Sequence, residues 1–189
     1  MIYIIMTVFL WVLGGVVVII ALAFFSYYNR FVSLTNQIEN SLSQIDVQLK
    51  KRADLVPNLV SSVKGYMKHE KSIIDSVTDA RKALVGAKDI SGKVRAGDKL
   101  QDAIGRLFAI AENYPNLKAN ENFLQLQQEL SAIEDKIAYS RQYYNDGIMF
   151  YNNSTTTVPG MWFASLYGFQ KKDYLHIPDK QREPVKVEF

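Results

Sequence analysis

The chain of 189 residues carries 22 basic and 19 acidic side chains, which gives a formal net charge of +3. So balanced a charge argues against a nucleic-acid-binding protein, because such proteins concentrate basic residues on one surface. The sequence contains no cysteine, which excludes disulfides, zinc thiolates, iron–sulfur clusters and thiol catalysis. Once one long apolar segment is set aside, the remainder has the size of one ordinary domain.

The apolar segment is residues 2–25, which contain no charged side chain. As a helix rising about 1.5 Å per residue, it is long enough to cross the roughly 30 Å hydrocarbon core of a bilayer. Tyr27, Tyr28 and Arg30 follow it, as aromatic and cationic residues do where a spanning helix leaves the bilayer. The segment is therefore predicted to be a retained, single-pass transmembrane anchor.

Two other interpretations of this segment fit it less well. A removable signal peptide needs a basic start, a shorter apolar run and a small-residue cleavage site. Ala21-Leu22-Ala23 imitates such a site, but no Lys or Arg precedes the run and the run is too long. A buried core helix needs apolar partners on every face, and no other part of the chain is apolar enough to supply them.

After the anchor, apolar residues recur at spacings of three and four, which is typical of one helix face. They are Phe31, Leu34, Ile38, Leu42, Ile45 and Leu49. Since neither Gly nor Pro separates them from the anchor, one continuous helix is predicted to about Ala53. Pro57 lacks a backbone donor and clashes with the preceding turn, so the helix is predicted to kink or restart there, with Asp54 as candidate cap.

The same periodicity predicts further helices within residues 73–84, 100–111 and 123–151. Gly92 and Gly97 are predicted to lie in the loosest region, and residues 113–116 in a turn. Four long amphipathic helices joined by short turns favour an antiparallel bundle.

The predicted fold is therefore all-α, an N-terminal transmembrane helix continuing into an antiparallel four-helix bundle. The predicted parts are an anchor at residues 1–29, the bundle at 30–157 and a C-terminal tail at 158–189. The tail is reached through a polar linker at residues 152–157, starts a short helix at Pro159 and has an extended end. Large apolar residues crowd it, namely Met161, Trp162, Phe163, Leu166, Tyr167 and Phe169. It either caps the bundle or docks on the membrane interface or a neighbouring subunit.

Several stretches of the sequence resemble the LemA family in order and spacing. The most specific is Ile45-Asp-Val-Gln-Leu-Lys-Lys-Arg-Ala-Asp-Leu-Val-Pro-Asn-Leu59. Residues 63–70, 111–127, 137–146 and 166–169 agree with it. The resemblance implies a bacterial single-pass protein of the plasma (inner) membrane with a helical-bundle domain. It implies no catalytic or cofactor residue, because none is assigned for the family.

The residues themselves do not predict an enzyme, a cofactor, a metal site or a small-molecule substrate. His69 lacks the second His of a zinc-binding helix, and His176 stands alone in the tail. Gly92 and Gly97 are not followed by the Lys and Ser or Thr of a phosphate-binding loop.

Charged residues are mostly expected on solvated helix faces. Glu129, Glu134 and Asp135 are assigned to such a face, and Lys50-Lys51-Arg52 to a solvated helix end near the kink. Asp46 and Arg141 lie within apolar stripes and are structural candidates. Either they pair across two helices, where a buried pair sets register, or both face water.

The favoured function is a membrane-anchored scaffold or assembly protein that acts by self-association or by holding partner membrane proteins. Gly14 and Gly15 would allow close approach of anchors, while Trp162, Phe163 and Phe169 would carry interface energy. The alternatives are a signalling or stress-sensing module that works through the kink at Pro57, and a membrane-bound hydrolase with an unrecognised site.

The expected partners are the lipid bilayer, further copies of the chain as a homo-oligomer, and other membrane proteins, with no nucleic acid. The orientation depends on Arg30, since it is the base within reach of the anchor's end. The positive-inside rule then predicts a cytoplasmic bundle and an external N-terminus.

Overall fold

The computed structural model describes residues 1–175, and this part of the chain is helical without any strand, which confirms the all-α prediction. The helices are α1 (Ile2–Lys64), α2 (Lys71–Gly86), α3 (Ile90–Ala111), α4 (Pro115–Lys118), α5 (Glu121–Thr156) and α6 (Gly160–Tyr167). They form two compact units. Of the described residues, the first unit contains 1–39 and 144–175, and the second contains 40–143. The predicted extended end and His176 lie outside the described residues.

The unit of residues 40–143 is an antiparallel four-helix bundle made by α2, α3 and the portions of α1 and α5 that fall within it. Its core follows the predicted stripes of each helix. The buried side chains include Ile45, Leu49, Leu59, Val63, Ile73, Val77, Leu84, Leu100, Ile104, Leu107, Phe123, Leu130, Ile133 and Ile137. Burying one such side chain contributes roughly 1.5–3 kcal/mol, so the apolar stripes provide the main driving force for this bundle.

Helix α1 does not restart at Asp54, so that prediction is wrong; a single helix runs through Pro57. Proline has no N–H, which leaves the carbonyl of Ala53, four residues earlier, without its helical donor. Arg81 of α2 replaces that donor, because its Nε lies 2.7 Å from Ala53 O. A contact from the neighbouring helix thus completes the backbone bonding that proline interrupts.

The region predicted to be loosest is instead the first part of α3. Asp89 caps this helix, since its carboxylate accepts a hydrogen bond from Gly92 N at 2.9 Å. Gly97 is buried against Leu49 of α1, and a methyl group at this position would overlap Leu49 Cδ2. Gly97 therefore serves the close approach of two helices rather than a loop. The predicted turn at 113–116 also contains the first residues of α4, with Pro115 at its start.

The first unit is built from the N-terminal portion of α1, the end of α5, and α6. Its buried cluster is Phe31, Ile38, Ile148, Tyr151 and Ala164, with Tyr27, Leu34, Tyr144, Phe163 and Phe169 packed around it. The predicted linker at 152–157 is wrong, because α5 continues to Thr156. Hydroxyl groups in this stretch donate to carbonyls three or four residues earlier, within the helix.

Two asparagines of α5 hold the chain that follows α6. Asn152 donates to Lys172 O and accepts from Lys172 N, both at 2.9 Å. Asn145 accepts from Leu175 N at 3.0 Å. Each side-chain amide thereby replaces the partner that an extended backbone would find in a sheet. The tail therefore folds back within this unit, on α5.

Candidate functional site

An aromatic cluster forms where the apolar segment of α1 ends. It consists of Phe24, Tyr27, Tyr28, Phe31, Tyr151, Phe163, Tyr167 and Phe169. Phe163 stacks on Tyr27 with ring centroids 4.7 Å apart and meets Phe24 edge-on at 5.9 Å. Phe169 reaches Phe31 at 4.8 Å. Aromatic pairs of these geometries each add about 0.5–1.5 kcal/mol beyond the burial of their area, so the tail is firmly attached to α1.

A hydrogen bond fixes the level at which α6 meets α1. The hydroxyl group of Tyr167 donates to Phe24 O at 2.8 Å, and the Tyr167 ring packs on Phe24 and Tyr28 with centroid distances of 4.7 and 5.2 Å. Phe24 is one residue before the end of the uncharged segment 2–25. The helix α6 therefore lies beside the last turn of that segment.

The contacts also show the direction of α6. At its start, the position of a Gly160 Cβ would lie 3.4 Å from Tyr27, and at its end Tyr167 touches Phe24 and Tyr28. From Gly160 to Tyr167, α6 rises about 10 Å at 1.5 Å per residue. The residues of α1 that it contacts span only about 6 Å, and the contacts of Tyr167 at positions 24 and 28 lie on both sides of the contact of Gly160 at position 27. Two helices packed lengthwise would shift their contacts equally, so α6 crosses α1 rather than running along it.

The other face of α6 is exposed and, apart from Ser165, apolar. Trp162 and Leu166 retain 63% and 67% of their accessible surface, and Met161 and Val158 are exposed beside them. A surface helix in water normally carries polar residues on its outer face, whereas this helix contains no charged residue at all. The predicted interface residues are thus divided, because Phe163 and Phe169 hold α6 in place and Trp162 points outward.

The apolar segment of α1 is exposed up to residue 22 and is partly covered by α6 at Phe24. By length and composition it can cross a membrane, and its most apolar part is not buried within the chain. Gly14 and Gly15 lie in this segment, and a Cβ at either would meet nothing within 4 Å. Their role in contacts between copies stays a prediction.

The second unit contains a cluster of four charged residues, Arg52, Asp98, Glu134 and Arg141. The first pair corrects the expectation that Arg52 and Glu134 face water. Arg52, assigned to a solvated helix end, is 1% exposed and pairs with Glu134, which was assigned to a solvated face. Its Nη1 also donates to Gly97 O at 3.3 Å. Burial lowers the pKa of Arg52, while the attraction of Glu134 opposes that shift. The pair therefore joins α1, α3 and α5 inside the bundle.

Asp46 and Arg141 do not pair with each other. Arg141 is mostly buried and binds Asp98 at 2.6 Å, while Asp46 binds Lys93 at 2.6 Å near the surface. Each of the two residues forms an ion pair with a residue of another helix, so neither merely faces water. The alternative in which they pair with each other is wrong.

The signal for the buried charges was present in the spacing of the apolar stripes. Arg52 comes three residues after Leu49 and four before Val56, so it lies on the same helix face as these two apolar residues. In α5, Glu134 and Arg141 continue the spacing of three and four that starts at Leu130. The run of three basic residues at 50–52 suggests a solvated segment, whereas the helical phase of Arg52 indicates burial. Charges at stripe positions of facing helices are candidates for paired burial.

A cavity of about 270 Å³ in the second unit is lined by Asp46, Leu49, Lys50, Ala53, Asp54, Arg81, Leu84, Val85 and Lys93. Its volume is slightly below the usual range of small-molecule pockets, about 300–1,000 Å³. A shallower depression of about 450 Å³ in the same unit is lined by Ser72, Ile73, Ser76, Arg106, Ala109 and Ile110. Neither lining contains Cys or His, and the depression contains no Asp or Glu that could activate Ser72 or Ser76 as a nucleophile. Among residues 1–175, no group of three or more His, Cys, Asp or Glu is placed to hold a metal ion.

Comparison with known proteins gives a family and several relatives. A model of the LemA family matches residues 41–189. The magnetosome protein MamQ of Magnetospirillum gryphiswaldense is 27% identical over 79% of this chain and 64% of its own length. The protein LemA of Metamycoplasma hominis is 29% identical over 67% of this chain and 59% of its own length. The chain thus spans less than two thirds of each of these relatives.

Proposed function

The chain belongs to the LemA family, and on that premise we propose that it is a membrane-anchored helical-bundle scaffold. It acts by self-association or by holding partner proteins at a bacterial membrane. The observation that carries this proposal is the apolar segment of α1, whose residues 2–22 are exposed in the described chain and which a bilayer would cover.

The chemistry of the bundle agrees with a structural role. The buried charges of the second unit, Arg52 with Glu134 and Arg141 with Asp98, are engaged in joining helices. The name of the MamQ relatives associates them with a magnetosome, and that name refers to an assembly rather than to a reaction. Both points favour an assembly protein over the hydrolase. The signalling alternative required a reorientation at Pro57, and it stays a prediction.

The proposal includes a location and an orientation. The protein is a single-pass component of the bacterial plasma membrane, and Arg30 favours a cytoplasmic bundle with the N-terminus outside.

Self-association is tested by the molar mass of the full chain in detergent. Light scattering coupled to size exclusion, corrected for the detergent, should give a multiple of the 21.5 kDa chain mass at micromolar concentration. A monomer at all concentrations would exclude self-association. Cross-linking in native membranes then separates the remaining possibilities: cross-links to other proteins would support the holding of partners, and none would exclude the scaffold.

A matched pair of variants locates the contact between copies. Gly14→Leu with Gly15→Leu adds bulk where the single chain leaves open space, so it should not disturb the chain itself. It should reduce the measured mass, because small residues let spanning helices approach closely. Val12→Leu, in the same apolar segment, should leave the mass unchanged. Equal masses for all three proteins would remove these glycines from the interface.

A further inference from the structure

We infer that α6 is an interfacial helix, whose outer face of Met161, Trp162 and Leu166 lies in the boundary between lipid headgroups and acyl chains. This surface goes beyond the proposed scaffold function, although it rests on the anchoring of α1. Its occupant is the bilayer that surrounds the anchor.

The level of α6 is the first argument. Tyr167 is bonded to Phe24 O, one residue before the uncharged segment ends. If residues 2–25 span the hydrocarbon core, this bond places α6 at the core's edge. Tryptophan and tyrosine are enriched at that depth, because their rings are amphipathic.

The direction of α6 is the second argument. Because α6 crosses α1 rather than running along it, a spanning α1 turns α6 away from the bilayer normal and toward the plane of the membrane. Interfacial helices lie in that plane, with their apolar face immersed about 5–10 Å. The face turned toward α1 is already occupied by Phe163, Ala164 and Tyr167, so the outer face is the one available to lipid.

Composition and charge are the third argument. A short helix with large apolar residues on both faces and no charged residue is stable when both faces leave water, and α6 buries only one of them within the chain. The outer face is also continuous with the exposed apolar surface of α1 that the bilayer covers. Arg30, between Tyr28 and Phe31 of the cluster, and Lys171, two residues after Phe169, are both exposed, which suits contact with anionic headgroups.

The two tryptophans of the chain, Trp11 and Trp162, make a direct test possible. Trp11→Phe leaves Trp162 as the single reporter, and Trp162→Phe leaves Trp11. Each full-length variant is reconstituted into phosphatidylcholine and phosphatidylglycerol vesicles that contain lipids brominated at shallow or deep acyl positions. We expect shallow bromines to quench Trp162 most and deep bromines to quench Trp11 most, with aqueous iodide ineffective against both.

Other outcomes overturn the inference. Quenching of Trp162 by iodide and not by bromine would mean that α6 faces water. Quenching by neither would mean that protein covers it, either a second copy or residues 176–189. The Trp11 reporter shows whether the anchor itself has inserted. If deep bromines do not quench Trp11, the anchor has not inserted; if they do, a negative result for Trp162 concerns α6 alone.

A second reporter does not depend on removing a tryptophan. Leu166→Cys and Val85→Cys place a spin label at exposed apolar positions of α6 and α2, 67% and 64% exposed. In vesicles the label at position 166 should be more accessible to oxygen than to a water-soluble nickel complex, and the label at 85 should show the opposite. Similar aqueous accessibility at both positions would contradict an interfacial α6.

Discussion

Arg52 shows how a single charge is kept inside the bundle. Its guanidinium is desolvated, which is costly unless an opposite charge and hydrogen bonds compensate. Glu134 supplies the charge and Gly97 O a further acceptor. Its Nε is buried without a partner among the described residues, so the residue depends strongly on Glu134.

Glu134→Leu should therefore destabilise the bundle by about 3 kcal/mol, because it leaves Arg52 buried and uncompensated. Adding Arg52→Met should restore most of that loss, since an apolar pair of similar volume is often as stable as the ion pair. Glu129→Leu, on the exposed face of the same helix, should change stability by no more than about 0.5 kcal/mol. Urea unfolding of the full chain in detergent, followed by circular dichroism, gives the three values. A double variant as unstable as Glu134→Leu alone would refute this role of the pair.

The bond from Arg81 to Ala53 O makes a sharper prediction about Pro57. Arg81→Met should cost about 1–3 kcal/mol, because the carbonyl of Ala53 then loses its only replacement donor. In a Pro57→Ala background the helix supplies its own N–H, so the same substitution should cost clearly less. The comparison is a double-mutant cycle measured by unfolding. Equal costs in both backgrounds would show that Arg81 acts elsewhere.

The sequence predicted which residues are buried better than it predicted their partners. Spacing within one helix is local, and it correctly placed Leu49, Leu130 and Ile137 in the core. The choice of Asp98 rather than Asp46 as the partner of Arg141 depends on how two distant helices align. No local pattern contains that alignment.

The helices meet closely where side chains are small. Gly97 lets α3 approach Leu49 of α1, and Gly160 lets the start of α6 approach the end of α5, where a methyl group would overlap Ser154 O. In both cases glycine is needed for space and not for an unusual backbone angle, since Gly168 is the described residue with a positive φ.

Gly97→Ala should destabilise the second unit by about 1–3 kcal/mol, because its methyl group forces Leu49, a fully buried side chain, out of position. Gly105→Ala provides the control within the same helix. It is exposed, nothing lies within 4 Å of its Cβ position, and alanine should stabilise the helix by roughly 0.5–1 kcal/mol. Opposite signs in thermal unfolding are expected. A stabilising Gly97→Ala would mean that the two helices are not held at this distance.

The boundaries of the elements were harder to predict than their existence. Glycine and proline suggested breaks at positions 57, 92 and 97, yet α1 and α3 continue through them. The reasons are tertiary, namely the donor from Arg81 and the packing of Gly97 on Leu49. The Ser and Thr run at 154–157 suggested a linker, but its hydroxyls bond within and just beyond the last turn of α5.

The chain as a whole combines an exposed apolar segment with a bundle whose apolar core also contains paired charges. The apolar segment could be predicted from composition alone, because membrane-spanning helices need no long-range information. The place of the tail could not, because its contacts with Phe24 and Tyr27 join positions far apart in the sequence. Anchor, interfacial helix and scaffold all require that residues 2–25 cross the bilayer.

The absence of native cysteine allows that requirement to be tested with single cysteines and a membrane-impermeant maleimide. Tyr3→Cys and Lys51→Cys lie on either side of the apolar segment, both at exposed positions, and Val17→Cys lies within it. In intact cells Tyr3→Cys should be labelled, Lys51→Cys should be labelled only after permeabilisation, and Val17→Cys only after denaturation. The reverse sidedness would keep the span and invert its orientation. Labelling of Tyr3→Cys and Lys51→Cys from the same side would show that the segment does not cross the membrane.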